Sequence, residues 1–240
     1  MLNGKRYARI NIKVLVILIV IIVAIVFSLF ALRQIRRNIL SKMSLEAGQK
    51  AYDNKDWMEA KKQFLEYIGR NPDDIEILKK YAETLLSIKP FNIESVASAV
   101  GVYRRILELN SSDETAYEKL AMLYSGIGNY EELAYIAQKK LGIQPNDMQA
   151  QLWLADAQIN GNKFEEARET LGKLINYAGK LQDKHNEYVK ACLMLSNLAM
   201  SYNISSESIT EALDWLNKAI EYSPESAEAI ANRANILLLY

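Results

Sequence analysis

A period of 34 residues limits what this chain can become more than any other feature in it. Small residues recur inside apolar helical patterns at Gly48, Ala82, Ala121, Ala155 and Ala199, with a sixth at Ala234. Each of the first five is followed by an aromatic-x-Glu-Ala signature or a relative of it. These are Trp57-Met-Glu-Ala60, the degenerate Val96-Ala-Ser-Ala99, Tyr130-Glu-Glu-Leu133, Phe164-Glu-Glu-Ala167 and Ile209-Thr-Glu-Ala212. From small residue to the end of the signature the spacings are 12, 17, 12, 12 and 13; from there to the next small residue they are 22, 22, 22, 32 and 22. The recurring pair of spacings is that of a helix-turn-helix repeat. Two insertions interrupt it, about five residues around Lys89-Pro90-Phe91-Asn92 and ten between roughly Asn176 and Glu187. One hairpin cannot bury its own apolar stripe, so consecutive hairpins must stack around a shared core.

These residues resemble the tetratricopeptide repeat family over about residues 41–240. The family places a small residue where helices A and B of a repeat touch, and this chain supplies Gly or Ala each time. It also places Ala before a bulky residue four positions later, matched by Ala60/Phe64, Ala99/Tyr103, Ala167/Leu171 and Ala212/Leu216. Its closing proline is matched by Pro72, Pro145 and Pro224. Ser111 departs from the proline pattern, and Leu133/Ala137 reverses the sizes. The resemblance implies an all-α fold, a right-handed α-solenoid of helix-turn-helix repeats following one N-terminal transmembrane helix. Five helix pairs and a half repeat would fill residues 43–240. Asp73, Asp74, Asn146 and Asp147 are positioned to cap the helices after the prolines. Gly126-Ile-Gly128-Asn129 and Asn160-Gly161-Asn162 supply left-handed turn positions. No proline closes the fourth repeat, which implies an elongated helix there.

From Val14 to Leu32 the chain reads nineteen residues without a charge. As a helix this is ~28 Å, close to the ~30 Å hydrocarbon core of a bilayer. A cleaved signal peptide would have an apolar run of ~7–15 residues and small residues at its exit; here the exit is Phe30-Ala31-Leu32-Arg33. An uncleaved signal anchor is the better reading. The chain then divides into a basic tail (1–13), a transmembrane anchor (14–32), a basic juxtamembrane segment (33–42) and the repeats (43–240). Four basic residues precede the span and four follow it, so the positive-inside rule hardly discriminates. The α-amine tips the balance towards an inside N-terminus, with the repeats extracytoplasmic.

Charge is unevenly distributed. Residues 1–42 carry eight basic residues and no acid, leaving the other 198 with 21 basic against 29 acidic, a net −8. A body this acidic does not suit nucleic acid. One Cys (Cys192) and one His (His185) exclude an internal disulfide and a structural zinc site, so no metal or cofactor is implied. Gly126 and Gly128 lack the preceding strand of a nucleotide loop. Glu131/Glu132 and Glu165/Glu166 open helices, where acids favour the dipole. Trp57, Tyr130 and Phe164 hold equivalent repeat positions and read as packing. No nucleophile–base arrangement has spacing support, so an enzyme is not expected.

What remains is a concave groove lined by helix A of each repeat. Counting from the seam residue, its candidate protein-binding positions are Gln49, Tyr52, Lys79, Glu83, Lys119, Met122, Gln149, Trp153, Asp156, Asn197, Met200 and Asn203. Trp153 and Met122 are the candidate apolar anchors. Some family members clamp a C-terminal carboxylate with Lys and Asn; Leu45 and Gln49 stand at those positions here, which disfavours that role. A membrane-tethered scaffold binding a protein or peptide is the first reading. The alternatives are an organelle-surface receptor for targeting segments, with cytosolic repeats, and an accessory subunit regulating a membrane enzyme. Asn110-Ser-Ser112 and Asn203-Ile-Ser205 would be glycosylated only in a eukaryotic lumen. Ser226 and Glu225 open a sixth helix A, and the run Ile236–Tyr240 cannot all face its neighbour. The expectation is that the solenoid continues beyond it.

Overall fold

A computed structural model describes residues 12–90, 92–181, 183, 185–201 and 204–239, the first four by backbone alone. Among them every regular element is a helix, and the chain divides into two compact units, one ending at Ser95 and the other starting at Val96. The first contains α1 (Ile12–Asp53), α2 (Trp57–Ile68) and α3 (Ile75–Ser87). The second is built on α4 (Ile93–Leu109), which starts just before the division, and on α5 (Glu114–Gly126), α6 (Tyr130–Ile143), α7 (Met148–Asn160), α8 (Phe164–Ala178), α9 (Asn186–Ala199), α10 (Ser206–Tyr222) and α11 (Ala227–Leu239). From α5 to α11 each helix packs on the next, and α7 also reaches α9, as stacked hairpins require.

The seam follows the sequence period. Ala60, Phe64, Ala99, Tyr103, Ala167, Leu171, Ala212 and Leu216 are all fully buried, and so are Leu133 and Ala137 despite their reversed order. Ala82, Ala121 and Ala155 are buried as well. Each large buried apolar side chain contributes roughly 1.5–3 kcal/mol relative to exposure. Gly48 shows why the first seam residue has no side chain: a Cβ there would lie 2.8 Å from Cδ1 of buried Phe64.

Local chemistry sets the helix ends. Asp56, Asp74, Asp113, Asn129 and Asp147 each accept a hydrogen bond from the third backbone N–H of the helix they precede. Ser205 and Ser208 form a reciprocal capping box on α10. The A–B turns close through a left-handed residue just before the cap: Lys55, Gly128 and Asn162, with φ of 59°, 70° and 58°. The next N–H then reaches five residues back, from Asp56 to Ala51, Asn129 to Tyr124 and Lys163 to Gln158. In the third of these turns the left-handed residue is Asn162, while Gly161 has φ −86°.

Three features differ from the sequence expectations. The basic juxtamembrane segment 33–42 is helical throughout: α1 runs unbroken for 42 residues, from the apolar run into helix A of the first repeat. Arg33–Lys42 contains neither Gly nor Pro, so nothing ends the helix. Packing already begins inside that segment, with Ser41 buried against Asn71. The ten-residue insertion gives little helix elongation, since α8 has 15 residues against 14 in α6 and stops at Gly179. The rest falls between Ala178 and Asn186 and early in α9, leaving Ala199 as the last residue of α9. Finally, Ala234 is exposed, because no described helix follows to pack on it. Ile236 is half-buried against the α9–α10 core, whereas Leu237, Leu238 and Leu239 are exposed.

Candidate functional site

In the first unit, α1 and α3 meet through two neighbouring hydrogen-bonded groups, Tyr52 with Glu83 and Gln49 with Lys80 and Asp53. The Tyr52 hydroxyl donates to Glu83 Oε2 at 2.6 Å. Lys80 donates to Gln49 Oε1, and Gln49 Nε2 donates to Asp53 Oδ1 at 2.7 Å. Trp57 meets the Tyr52 ring edge-on, 5.5 Å between centroids. The hydrogen bond to Glu83, burial and the nearby carboxylates push the Tyr52 hydroxyl up to about 12. An open cavity of about 680 Å³ lies beside these groups, walled by Leu45 and Ile77 with Gln49 and Asp53 at its polar side. Lys79 is also half-buried but pairs with Glu76 on its own helix at 3.9 Å.

In the second unit, α5 and α7 carry Lys119, Met122, Gln149, Trp153 and Asp156. Asp156 is fixed from both sides, accepting from Ser125 Oγ at 3.3 Å and from Asn160 Nδ2 at 3.0 Å. Met122 is the bare apolar side chain expected of an anchor, 55% exposed. Trp153 is not bare. It is half-buried, and the Lys140 ammonium sits 5.2 Å from its ring centroid. Lys119 and Gln149 are half-buried too. Asn197 is exposed on α9, and Met200 is the C-cap that follows that helix. Among the described residues no hydrogen bond or ion pair joins either of them to the α5–α7 group. Asn203 lies outside the described residues.

Lys140 is the polar centre that sequence reasoning missed. Its side chain is 5% exposed, with Nζ 2.5 Å from Glu114 and 3.0 Å from Asp147. Burial pulls its pKa down, but the hydrogen bonds to Glu114 and Asp147 outweigh this and hold it above the usual lysine value. Lys140 stands seven residues after Leu133; the matching positions hold Tyr67, Ile106, Leu174 and Ala219. A charge in a slot otherwise without one was the available signal. A second missed centre is Arg104, whose Nε donates to Tyr124 Oη at 2.6 Å and whose Nη2 lies 2.7 Å from Glu132. Beside it a cavity of about 480 Å³ opens between Tyr135, Glu131 and Lys139.

The other singled-out residues are structural. Cys192 is fully buried, and burial pushes its thiol up to about 12, so it stays protonated at neutral pH. His185 is half-buried, not solvated, and its backbone N–H donates to Tyr222 Oη at 2.8 Å. Asn110 accepts from the N–H and hydroxyl of Ser112, closing a local turn. Among the described residues no group of three or more His, Cys, Asp or Glu is arranged to hold a metal ion.

Residues 149–180, which span α7 and α8, match the tetratricopeptide repeat family profile. Anaphase-promoting complex subunit 8 of Arabidopsis thaliana is 30% identical over 103 residues, covering 40% of this chain; the chain spans only 18% of that subunit's length. Solved structures share the fold at low identity. A tetratricopeptide repeat protein from Parabacteroides merdae aligns with 83% of this chain and 73% of its own, at 16% identity and a TM-score of 0.61. MamA from Desulfovibrio magneticus RS-1 aligns with 79% of this chain and 98% of its own, at 16% identity and 0.56. YrrB, described as a TPR protein with an unusual peptide-binding site, aligns with 78% of this chain and 88% of its own, at 12% identity and 0.56. The fold is that of tetratricopeptide repeat proteins, and residues 149–180 carry the family's own repeat.

Proposed function

We propose that this protein is a single-span membrane scaffold that binds a protein or peptide on the helix-A faces of its repeats and performs no catalysis. The observation that carries the reading is α1 itself. Its residues from Val16 to Leu32 are apolar or small, and nearly all are exposed, with Phe27 at 72% and Phe30 at 66%. By length and composition this helix suffices to cross a bilayer. So much uncovered apolar surface is costly in water and needs lipid or a partner around it. The same helix then becomes helix A of the first repeat, and a scaffold grown from the end of an anchor is held at the membrane. The protonated, buried Cys192 speaks against a thiol nucleophile.

The face of the first unit carrying Gln49, Tyr52 and Glu83 and the Met122–Asp156 face of the second are the surfaces assigned to the ligand. Both offer fixed hydrogen-bonding groups beside apolar ones, the combination that orients a peptide. That YrrB is described as having a peptide-binding site favours the same class of partner. The test is co-flotation of the full chain with phosphatidylcholine vesicles after carbonate washing, followed by affinity capture in detergent. Flotation and capture of specific partners are expected, and Met122→Glu should abolish the capture while leaving flotation intact. Recovery of the washed chain in the soluble fraction would overturn the anchor.

A further inference from the structure

We infer that Arg33, Arg36 and Arg37 form a binding surface for anionic phospholipid headgroups in the bilayer that α1 spans. The inference rests on the anchor reading above and adds a ligand to it. The first observation is a register. Arg33, Arg37, Ser41, Ser44, Gly48 and Ala51 follow one another at steps of three or four, so they share one face of α1. The last four are buried. The two arginines therefore continue, toward the apolar run, the face that packs on the rest of the first repeat. Arg36 lies beside that stripe.

The second observation is what sits over the arginines. The turn between α2 and α3 closes onto α1 through three groups. Arg37 Nη2 donates to the Arg70 carbonyl at 3.4 Å. Asn71 donates to Ser41 Oγ, and Arg70 Nη1 donates to Ser44 Oγ at 3.3 Å. Because α1 is continuous, helical rise sets the heights: Arg33 stands ~1.5 Å and Arg37 ~7.5 Å beyond Leu32. A headgroup layer is roughly 5–7 Å deep on each side. By backbone height Arg33 and Arg36 therefore fall within that layer, and Arg37 stands at its outer edge beside the Arg70–Asn71 turn.

Charge commits the surface to one occupant. No acid occurs before Glu46, and none pairs with Arg33, Arg36 or Arg37 among the described residues. The nearby carboxylate of Glu66 is already engaged by Ser44 and Arg70, and that of Asp74 by Tyr67 and the α3 N-terminus. Guanidinium groups match phosphate oxygens in pairs. The repeats carry a net −8 and are repelled by an anionic surface, so the three arginines are the local counter-charge.

The test uses the full chain in detergent micelles with phosphatidylglycerol and phosphatidylcholine in equal amounts, retained lipid being counted by native mass spectrometry. Wild type should retain phosphatidylglycerol over phosphatidylcholine by about fivefold or more. R33Q/R36Q/R37Q should abolish the preference, and K50Q/K61Q/K62Q, an equal loss of charge on the repeat, should keep it. Helicity by circular dichroism should be unchanged in both. Equal retention of both lipids by wild type, or equal loss in both variants, overturns the headgroup site. A chain that fails to float with phosphatidylcholine vesicles overturns the anchor, and the site with it.

Discussion

Gly48 and Gly172 are both helical glycines, yet they stand in opposite surroundings. An added Cβ at Gly48 meets the buried Phe64 ring at 2.8 Å, whereas at Gly172 it meets nothing within 4 Å. Alanine gains up to ~1 kcal/mol of helix propensity at either site, but overpacking a core costs ~1–3 kcal/mol. Gly48→Ala should therefore lose about 1 kcal/mol net and Gly172→Ala gain about 0.5–1 kcal/mol. Paired urea melts decide, and stabilisation by both would mean that the first seam is looser than described. Lys140 gives a larger effect. Lys140→Met removes the cation between Glu114 and Asp147 and leaves the mostly buried Asp147 without it. A loss of roughly 2–4 kcal/mol is expected from the same measurement. Tyr52 gives a pH dependence. Its hydroxyl holds its proton up to about 12 in the folded chain against an ordinary 10. The stability it contributes is thus fully present below pH 10 and is lost as pH rises towards 12. Absorbance at 295 nm should show a late-ionising tyrosine that Glu83→Gln moves earlier; an unmoved titration would detach Glu83 from it.

At the scale of the helix, the seam tests the register. Ala121 is buried against its neighbours while Glu118, one turn earlier on α5, is exposed. Ala121→Leu should cost roughly 1–3 kcal/mol by overpacking, and Glu118→Leu should change stability by under about 0.5 kcal/mol. Equal effects in denaturant melts would mean the wrong face was assigned. These positions were legible because stacked hairpins force the same small residue to the same contact every period, and Ala60, Ala99, Ala167 and Ala212 all arrived where the spacing put them. Caps were legible for a similar reason, since Asp74 and Asp147 follow Pro72 and Pro145 at fixed offsets. Insertions break that logic. Nothing in the spacing says whether ten extra residues lengthen α8, the connection to α9 or the start of α9. Trp153 and Lys140 show a second limit. Period places Trp153 on a helix-A face, but the cation over its ring comes from α6, and pairings between helices leave no mark on spacing.

For the molecule as a whole, the decisive feature is where the apolar run stops and the repeat begins. A change in composition suggests a border at residue 42, yet α1 crosses it unbroken and burial begins at Ser41. The physical border is set by contacts, with Asn71 holding Ser41 and with Glu66 and Arg70 holding Ser44. A helix without a break transmits orientation, so the apolar run and the first repeat share one continuous helix. Two deletions test this. Removing residues 1–38 takes away the apolar run and an exposed stretch of α1 that makes only one long hydrogen bond, from Arg37 at 3.4 Å. The product should leave the membrane with its repeat stability changed by under about 0.5 kcal/mol. Removing residues 1–46 also strips Ser41 and Ser44, with their hydrogen bonds and about two further turns of α1. That should cost about 2–4 kcal/mol, at roughly 1 kcal/mol per hydrogen bond plus the lost packing. Melts of both products in detergent, compared with the full chain, read the difference. A large loss already at 1–38 would mean that the repeat depends on the anchor for its fold, and an unaffected 1–46 product would place the start of the repeat beyond Ser44.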